Sequence, residues 1–419
     1  MRRTALVVLA ALSLPLSACT GDQSLSGPRV RLTDGLLATR TADGVALVDG
    51  SGEIVRELPG GVPAPDWSAV VMGTPSGEDT SIELVDPSTG RSEARLIVPG
   101  DWEVRVVSEW GEVALMAPRA TGIDPFAPEL RTRTEIAVVD PTDPETLRRY
   151  RLPGNFEPEA FSHDSGDAPR SLFSLRYVPS TAPTFYVVTG LTLEGKDDGD
   201  VFDVLNALDK GVVENMTSTR LEQELAPDGQ RLYTLYTNQP PAYLDDAPSV
   251  DPAHTLAFVH ALDLEYGFAM CLGLPSEFVG LRPGQVAIAA TDGGRVFAID
   301  AAHGQVAIVN VERPRPARVL PLDLTGIGNG PVVAGMSADG STLLVGAAQG
   351  IVAFDARTLD RGDAIGTPGA VTGFASSPDL PDEFLSWDGG LGILDLGDLR
   401  ISSQLRSPAP GAVEAILAA

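Results

Sequence analysis

Short apolar runs that end in an acidic residue, or in its amide, recur along this chain. Such runs, each followed by turn-forming residues, are typical of buried β-strands. The residues that end the runs are Asp49, Asp86, Asp140, Glu194, Asp263, Asn310, Asp355 and Asp395. The separations between neighbouring members of this series bracket the period of roughly 40 to 50 residues that is typical of four-stranded units in ring-shaped proteins. The spacing therefore predicts an array of such units.

A second landmark precedes the acidic residue in several copies, namely an Asp-Gly turn or a relative of it. The clear copies are residues 226–236, 291–304 and 337–350, and residues 377–390 form a weaker one. Tight turns between antiparallel strands need positive φ, which glycine and, less readily, aspartate tolerate. Each unit is therefore predicted to be strand, Asp-Gly turn, strand, Gly break, strand, acidic turn and strand. We count eight units, with seven as the alternative.

The two ends of the chain complement each other. The first unit holds only three strand-like runs, within residues 35–58, whereas residues 411–419 follow the last unit as a leftover strand. A ring sealed by its own C-terminal strand would produce this arrangement and would remove exposed strand edges. We therefore expect an all-β fold, a β-propeller of eight blades whose C-terminal strand pairs into the first blade. An open sandwich with similar strand spacing is the other architecture to consider.

Two stretches carry a resemblance to a known repeat. SADGSTLLVGAAQGIVAFDARTL and TDGGRVFAIDAAHGQVAIVNV resemble the YVTN-type, WD40-like β-propeller repeats of bacterial secreted proteins. The resemblance covers the chain from about residue 30 onwards, is strongest over residues 221–360, and is weakest in blades 2 and 4. It is specific for the fold and says little of function, because it consists of turn and core positions and propellers carry many unrelated activities.

The N-terminal residues are typical of an export signal. Two arginines precede an apolar run from Ala5 to Leu16, which is too short for an ordinary membrane-spanning helix. Leu16-Ser17-Ala18-Cys19 resembles the bacterial lipobox, which implies cleavage before Cys19 and a diacylglyceryl group on its thiol. We therefore expect a signal peptide over residues 1–18, a lipidated Cys19 with a polar tether over residues 19–29, and a single propeller domain over residues 30–419. An ordinary export signal with an incidental cysteine is the alternative.

Charge and cysteine content limit the partners and the compartment. The chain carries 57 acidic against 30 basic residues, a net charge of −27, so its average field repels nucleic acid. The expected location is extracytoplasmic, anchored to the bacterial cell membrane by lipid. Cys19 and Cys271 are the two cysteines. With Cys19 lipidated, Cys271 has no partner in the chain, and its apolar neighbours predict a buried, unreactive thiol.

Local motifs for chemistry are missing from the sequence. The four histidines do not have metal-ligand spacing, and there is no Walker loop or GxSxG elbow. We therefore predict no catalytic residues, no metal ligands and no cofactor, although a divalent cation such as Ca²⁺ is not excluded. The acidic stretches 163–167 and 196–200 are interpreted as solvated turns.

One insertion offers a candidate binding loop. The stretch 237–255 holds the candidates Tyr243, Asp245, Asp246, Asp251 and His254. Its acidic and imidazole groups suit Ca²⁺ or another divalent ion, but their spacing matches no known loop type, and an acidic loop without a ligand is the preferred interpretation.

The insertions in general suggest a binding face. Residues 117–134, 178–184, 209–219 and 237–255 fall in connections that should emerge on one face over blades 3 to 5, since antiparallel strands alternate in direction. We therefore expect a cell-envelope lipoprotein whose propeller is a non-catalytic binding or scaffold module for a protein, glycan or small molecule. The alternative is a metal-dependent, lactonase-like hydrolase or lyase with its site at the central channel.

Overall fold

The chain forms an eight-bladed ring of β-sheets. A computed structural model describes residues 36–41, 43–117, 128–163, 170–193, 200–209, 211–241, 244, 256–376, 383–406 and 412–417. These residues hold 33 strands and no helix, and the strands form eight sheets, seven of four strands and one of five, antiparallel except for one short parallel pair. The predictions of an all-β propeller and of eight rather than seven blades are confirmed. Within the described residues, no helix is long and apolar enough to cross a membrane.

Each sheet is one blade. In blades 2 to 8 four strands run in chain order from the channel outwards, and in blade 1 the strand nearest the channel comes from the C-terminal end of the chain. The strands of blades 1 to 4 are β1 (Leu36–Thr41), β2 (Gly44–Val48), β3 (Ile54–Pro59); β4 (Val62–Pro63), β5 (Val70–Ser76), β6 (Asp79–Asp86), β7 (Arg91–Pro99); β8 (Glu103–Val107), β9 (Val113–Ala117), β10 (Arg133–Asp140), β11 (Asp143–Pro153); β12 (Asn155–Phe161), β13 (Ser171–Val178), β14 (Phe185–Thr192), β15 (Val201–Asp203).

Blades 5 to 8 follow the same plan, and blade 5 has an extra strand, β16. Their strands are β16 (Leu205–Asn206), β17 (Thr219–Leu225), β18 (Arg231–Thr237), β19 (Ala257–Asp263), β20 (Phe268–Gly273); β21 (Val286–Ala290), β22 (Arg295–Asp300), β23 (Gln305–Asn310), β24 (Arg318–Pro321); β25 (Val333–Met336), β26 (Thr342–Ala347), β27 (Gly350–Asp355), β28 (Arg361–Gly366); β29 (Val371–Ala375), β30 (Glu383–Trp387), β31 (Gly390–Asp395), β32 (Arg400–Arg406).

The C-terminal strand closes the ring. β33 (Ala412–Leu417) pairs antiparallel with β1, with Leu36 opposite Leu417 and Arg40 opposite Ala412, and so becomes the inner strand of blade 1. Val413 is buried among residues of blades 1 and 8, and its backbone N–H donates to Ser386 Oγ at 2.8 Å. The predicted C-terminal seal is therefore confirmed.

The recurring acidic residues have a structural role. Each described member of the series lies at the end of the third strand of its blade, where its side-chain oxygen accepts backbone N–H groups of the following turn. The distance is 2.8 Å from Asp49 Oδ1 to the amide of Ser51 and 2.8 Å from Asp86 Oδ1 to that of Ser88. Such side-chain acceptors stabilise tight turns, which explains why the pattern tracks the blades.

The core lies in the gaps between neighbouring blades. Side chains alternate along each strand, so each sheet presents apolar residues to the blade before it and to the blade after it. Phe297 of blade 6 packs in one cluster with Leu343 of blade 7, and Tyr186 of blade 4 packs with Leu262 of blade 5. Phe297, Leu343 and Tyr186 have no exposed surface. Inter-blade packing of this kind fixes the positions of the inner strands.

The ring has two distinct faces. First-to-second strand turns emerge on one side, which we call the turn face, and second-to-third strand connections emerge on the other, which we call the loop face. β1 is the second strand of blade 1, so the described chain enters the ring at Leu36 on the turn face. The N-terminal entry and the second-to-third strand connections therefore lie on opposite faces.

The segment between blades 4 and 5 follows the outer rim instead of projecting from the loop face as expected. Within this rim segment (204–209 and 211–218), β16 pairs parallel with β20. At its far end Met216 exchanges backbone hydrogen bonds with Tyr186 of blade 4 at 2.7 and 2.9 Å. Val204 and Met216 are buried, 5% and 4% exposed. Residues 209–219 were expected on the loop face because they connect the fourth strand of one blade to the next blade, and the structure corrects this expectation.

Candidate functional site

The predicted binding loop and the lipidation site fall outside the described residues. This applies to Cys19, Tyr243, Asp245, Asp246, Asp251 and His254, and to most of the turns 163–167 and 196–200. The structure does describe β18 and β19, the two paired strands on either side of the insertion. The connection between them leaves the ring on the loop face. Leu244, which belongs to the same insertion, is buried at 7% exposure.

The loop face is strongly asymmetric. Second-to-third strand connections span residues 118–132 in blade 3, 179–184 in blade 4 and 238–256 in blade 5. In the other five blades these connections have two to four residues. Connections of two residues are the ordinary length for a hairpin. Three neighbouring blades therefore carry the long connections, as the sequence predicted.

Charged side chains lie beneath these long connections. Arg131, at the base of the blade 3 connection, places Nη1 3.2 Å from Glu157 Oε1 on the inner strand of blade 4. The other oxygen of Glu157 lies 2.8 Å from Nη2 of Arg105, which belongs to the inner strand of blade 3. Burial raises the pKa of Glu157 even though Arg105 and Arg131 oppose the shift. Two arginines thus hold one buried carboxylate between blades 3 and 4.

A second ion pair joins blades 4 and 5. Arg220 Nη1 lies 2.7 Å from Glu159 Oε1, and the Arg220 side chain is 5% exposed. Gln223 donates from Nε2 to Glu159 Oε2 at 3.2 Å. Buried pairs of this kind fix geometry, because removing one partner leaves an uncompensated charge in the interior. The inner strands of blades 3, 4 and 5 are therefore linked by charge.

These inner strands also border a central channel. The inner strands of all eight blades and the turns of the turn face enclose a cavity of about 1460 Å³. Arg105, Glu159, Glu222 and Gln223 line it on the side of blades 3 to 5. On the opposite side the lining is small and apolar, with Ala287, Val333, Gly335 and Gly373 among its residues. The inner strands of blades 3 to 5 thus line the channel with charged side chains, whereas Asp292 and Asp339 on the opposite side lie in turns of the turn face.

Glu222 differs from the other channel carboxylates. Burial raises its pKa from 4.5 to about 7, and no opposite charge offsets that cost. At the mouth on the turn face, His163 Nδ1 lies 3.1 Å from Glu109 Oε2. In the same mouth, burial and then the neighbouring Asp228 raise the pKa of Asp292. The channel thus offers charged and hydrogen-bonding groups, and its described carboxylates form no group of three around one point.

A separate cluster, which the sequence did not predict, lies at the outer rim. His260 of β19 and Cys271 of β20 are direct cross-strand partners, and Glu214 of the rim segment lies over them. Ligand atoms of these three residues lie within 4.8 Å of one another. The Cys271 thiol donates to Glu214 Oε2 at 2.5 Å, and the amide of Asn206 donates to Glu214 Oε1. Glu214, His260 and Cys271 are called the rim triad below.

Burial controls the ionisation of the rim triad. It lowers the pKa of His260 to about 4, so the ring is neutral at physiological pH. Burial, followed by the hydrogen bond and the charge of Glu214, raises the pKa of the Cys271 thiol. A raised pKa keeps the thiol protonated, which agrees with the expectation of an unreactive Cys271. The residue is partly exposed rather than buried. Alignment of the runs VHALD and FAMC as neighbouring strands could have placed His260 opposite Cys271, but Glu214 carries no such signal.

Comparisons with known proteins find similarity in the fold alone. No family model and no curated protein matches the chain. The solved structure of apo AztD from Citrobacter koseri superimposes with a TM-score of 0.50 and 10% identity, over 91% of this chain and 97% of that one. Dihydro-heme d1 dehydrogenase NirN in complex with DHE gives a TM-score of 0.50 and 15% identity, over 95% of this chain and 78% of that one. The Dos1 propeller superimposes with a TM-score of 0.49 and 10% identity, over 89% of this chain and 88% of that one.

The chain is a β-propeller. At these identities the likeness concerns architecture alone, and the same fold carries unrelated functions. The finer resemblance to YVTN-type repeats and the lipobox therefore stay predictions.

Proposed function

We propose that this protein is a lipid-anchored, extracytoplasmic β-propeller that binds a basic partner of the cell envelope through the loop face over blades 3 to 5. The propeller acts as a binding or scaffold module, without catalysis of its own. The observation that carries this proposal is that the three longest second-to-third strand connections lie in the same sector as the charged cluster of Arg131, Glu157, Glu159 and Arg220.

The position of the connections supports a role in recognition. Loops carried by a rigid scaffold are where binding residues concentrate, and long connections without strands of their own are uncommon in compact folds. Arg131 ties the base of the blade 3 connection to the inner strand of blade 4. At the base of the blade 5 connection, Thr219 Oγ1 donates to the carbonyl of Gln239 at 2.6 Å. Both connections are therefore held at defined positions where they leave the ring.

Charge indicates the kind of partner. The connection of residues 238–256 contains Asp245, Asp246 and Asp251 and no lysine or arginine, on a chain of net charge −27. Acidic surfaces steer basic partners and raise their association rates, an effect that weakens with salt. A partner with a basic surface is therefore favoured over an acidic glycan or a nucleic acid.

The two faces suit a tethered module. The described chain enters the ring on the turn face at Leu36. Only a short stretch of chain separates Cys19 from Leu36, so a lipid on Cys19 would attach the ring to the membrane from the turn-face side. The long connections would then point away from the membrane.

Loop exchange tests the proposal. The full chain, with residues 237–255 replaced by a short Asn-Gly link, is compared with the unchanged chain in cross-linking of intact cells, followed by identification of the captured proteins. The link removes Thr237 at the end of β18 and the buried Leu244 but otherwise only shortens a hairpin connection, so the melting temperature should fall by no more than a few degrees. We expect the basic partners captured by the unchanged chain to be lost, and their capture by the unchanged chain to fall as salt rises.

The matched control exchanges residues 196–200, which connect the third and fourth strands of blade 4 on the turn face. This exchange should leave capture unchanged. The assignment of the binding face is wrong if the 237–255 exchange captures the same partners and the 196–200 exchange loses them.

A further inference from the structure

We propose that the rim triad of Glu214, His260 and Cys271 is a Zn²⁺ site that fastens the rim segment to blade 5. The proposal is independent of the binding function of the loop face. It rests on the placement of three different ligand types at one point of the rim, on a buried imidazole directed into that point, and on a second layer of contacts around it.

Three elements converge on this point. His260 and Cys271 face each other across β19 and β20. Side chains that precede and follow them at alternate positions, such as Leu262 and Ala269, pack toward blade 4, so both ligands are directed into the gap between blades 4 and 5. Glu214 closes this gap from the rim segment. The ligand atoms come from residues far apart in sequence, which explains why no spacing motif predicts the site.

The dimensions suit a tetrahedral ion. Zinc binds sulfur at roughly 2.3 Å and nitrogen or oxygen at roughly 2.0 to 2.2 Å, which places ligand atoms about 3.3 to 3.6 Å apart in a tetrahedron. The three ligand atoms of the triad lie within 4.8 Å of one another. Cys271 Sγ and Glu214 Oε2 are 2.5 Å apart, so these two atoms would separate on metal binding, and both residues are partly exposed rather than enclosed in the core. Three protein ligands leave one tetrahedral position for water or another small ligand.

His260 is the independent observation that points to a ligand. The residue is 4% exposed, and one of its ring nitrogens lies within 4.8 Å of Cys271 Sγ and of a Glu214 carboxylate oxygen. Its ring meets that of Tyr236 edge-on, with centroids 6.1 Å apart. The imidazole is therefore buried beside a thiol and a carboxylate, and coordination of a metal ion would give its nitrogen a partner at this point.

The surroundings of the triad resemble an outer coordination layer. Asn206 is 8% exposed, and its side-chain oxygen accepts the backbone N–H of Leu208 at 2.9 Å. That bond fixes the amide so that its Nδ2 group donates to Glu214. On the other side, Tyr236 stacks on Phe258 at 5.2 Å and forms an aromatic wall beside His260. Outer contacts of this type orient ligands and keep water away from a metal site.

The donor set selects the metal. One thiolate, one imidazole and one carboxylate match the ligands of zinc and related transition ions. Calcium and magnesium require six or more oxygen ligands, and the triad supplies one carboxylate. When zinc binds, the S–H proton of Cys271 leaves to solvent as the Zn–S bond forms.

Zinc at this place would fasten the rim segment. The segment holds blade 5 through β16 and the backbone bond from Ala207 to Ala269, and it holds blade 4 through Met216. Glu214 lies between these two attachments in a stretch without a regular strand. Coordination would add a third attachment and link blade 4 to blade 5 more tightly.

Metal titration of the full chain tests the proposal. Cys19→Ser leaves Cys271 as the single thiol, and the protein is titrated with Zn²⁺ against a chromophoric chelator and, separately, with Co²⁺. We expect one zinc ion per chain, a thiolate-to-cobalt charge-transfer band, and the visible bands of tetrahedral Co²⁺. The melting temperature should rise with zinc, because an ion that binds the folded state alone stabilises it.

Variants identify the ligands. Cys271→Ala and His260→Gln should abolish stoichiometric zinc binding, and Asn206→Ala should weaken it roughly 10- to 100-fold. His303→Gln is the matched control, because His303 pairs with Asp300 at the surface of blade 6 and should leave zinc binding unchanged. Wild-type affinity in both ligand variants, or a cobalt spectrum without the thiolate band, would overturn the proposal.

A measurement without ligand variants keeps the test decisive if the variants do not fold. Zinc should slow alkylation of Cys271 by iodoacetamide in the Cys19→Ser chain, and a chelator should restore the original rate. Magnesium serves as the control ion and should not slow the reaction. Equal alkylation rates with and without zinc would refute coordination by Cys271.

Discussion

Removal of residues 411–419 takes away the strand that closes the ring. β33 contributes five paired positions to β1, from Leu36 opposite Leu417 to Arg40 opposite Ala412. The backbone of β1 would then be exposed along its inner edge, at the seam between blades 1 and 8. We expect the full truncation to destabilise the whole ring, because blade 8 also loses the strand against which its inner face packs.

The size of the effect can be worked from these contacts. A net contribution of about 1 kcal/mol for each of roughly five ladder hydrogen bonds gives about 5 kcal/mol. Burial of Val413 adds about 2 kcal/mol. The sum is a large part of the total stability of a typical folded domain, which is roughly 5 to roughly 15 kcal/mol. For a chain of this size it corresponds to a fall in melting temperature on the order of 10 °C.

Thermal and urea denaturation, followed by circular dichroism and by tryptophan fluorescence, measure the effect. A chain that lacks only residues 418 and 419 retains β33 and is the matched control. The control should unfold at the same midpoint as the full-length protein. The longer truncation should have a lower midpoint by both probes. Equal midpoints for the two truncations would refute the seal as a source of stability.

Three further predictions concern the anchor, a buried ion pair and a buried carboxyl group. Cys19→Ala should abolish labelling of the chain by radioactive fatty acid, because the thiol is the acceptor of the lipid. Glu159→Gln should lower the free energy of unfolding by about 3 kcal/mol, since it leaves the buried Arg220 without its carboxylate. Glu222 has a pKa raised from 4.5 to about 7, so wild-type stability should fall as pH rises through this window, and Glu222→Gln should lack that fall.

Each of these predictions has a control. Palmitate or diacylglyceryl label on the Cys19→Ala chain would contradict lipidation at this residue. For the ion pair, the double variant Glu159→Leu with Arg220→Leu should be far more stable than Glu159→Gln, and equal stability of the two would contradict the argument from unpaired charge. For Glu222, the folded state holds a proton that the unfolded state has released between the two pKa values. Parallel stability curves for wild type and Glu222→Gln from about pH 5 to about pH 8 would show that this group is not coupled to folding.

The repeat architecture could be predicted because it depends on local chemistry that is copied in every blade. Asp86 and Asp355 occupy equivalent turns and accept the same kind of backbone hydrogen bond, so the requirement for an acidic residue repeats with the blade. The leftover strand 412–417 could be predicted for a similar reason, since a missing strand at one end and a surplus strand at the other end must complement each other in a closed ring.

The candidate sites depend on contacts that no local pattern records. Arg131 and Glu157 meet because a loop of blade 3 lies against the inner strand of blade 4, and either residue alone has the pattern of a surface charge. Glu214 lies in a segment that has no strand-like alternation, yet the segment folds along the rim and places its carboxylate on Cys271. The direction of the long connections was predictable, because it follows from strand parity alone.

Closure by β33 also sets the order of events during synthesis. Blade 1 is the first blade to leave the ribosome and the last to be completed, because its inner strand is made only when residues 412–417 are translated. Until then β1 keeps a free edge, and a chain that stops early carries that edge permanently. Completion of the ring thus requires translation through residue 417. An interrupted product differs from the finished protein by an open seam that proteases and chaperones can recognise.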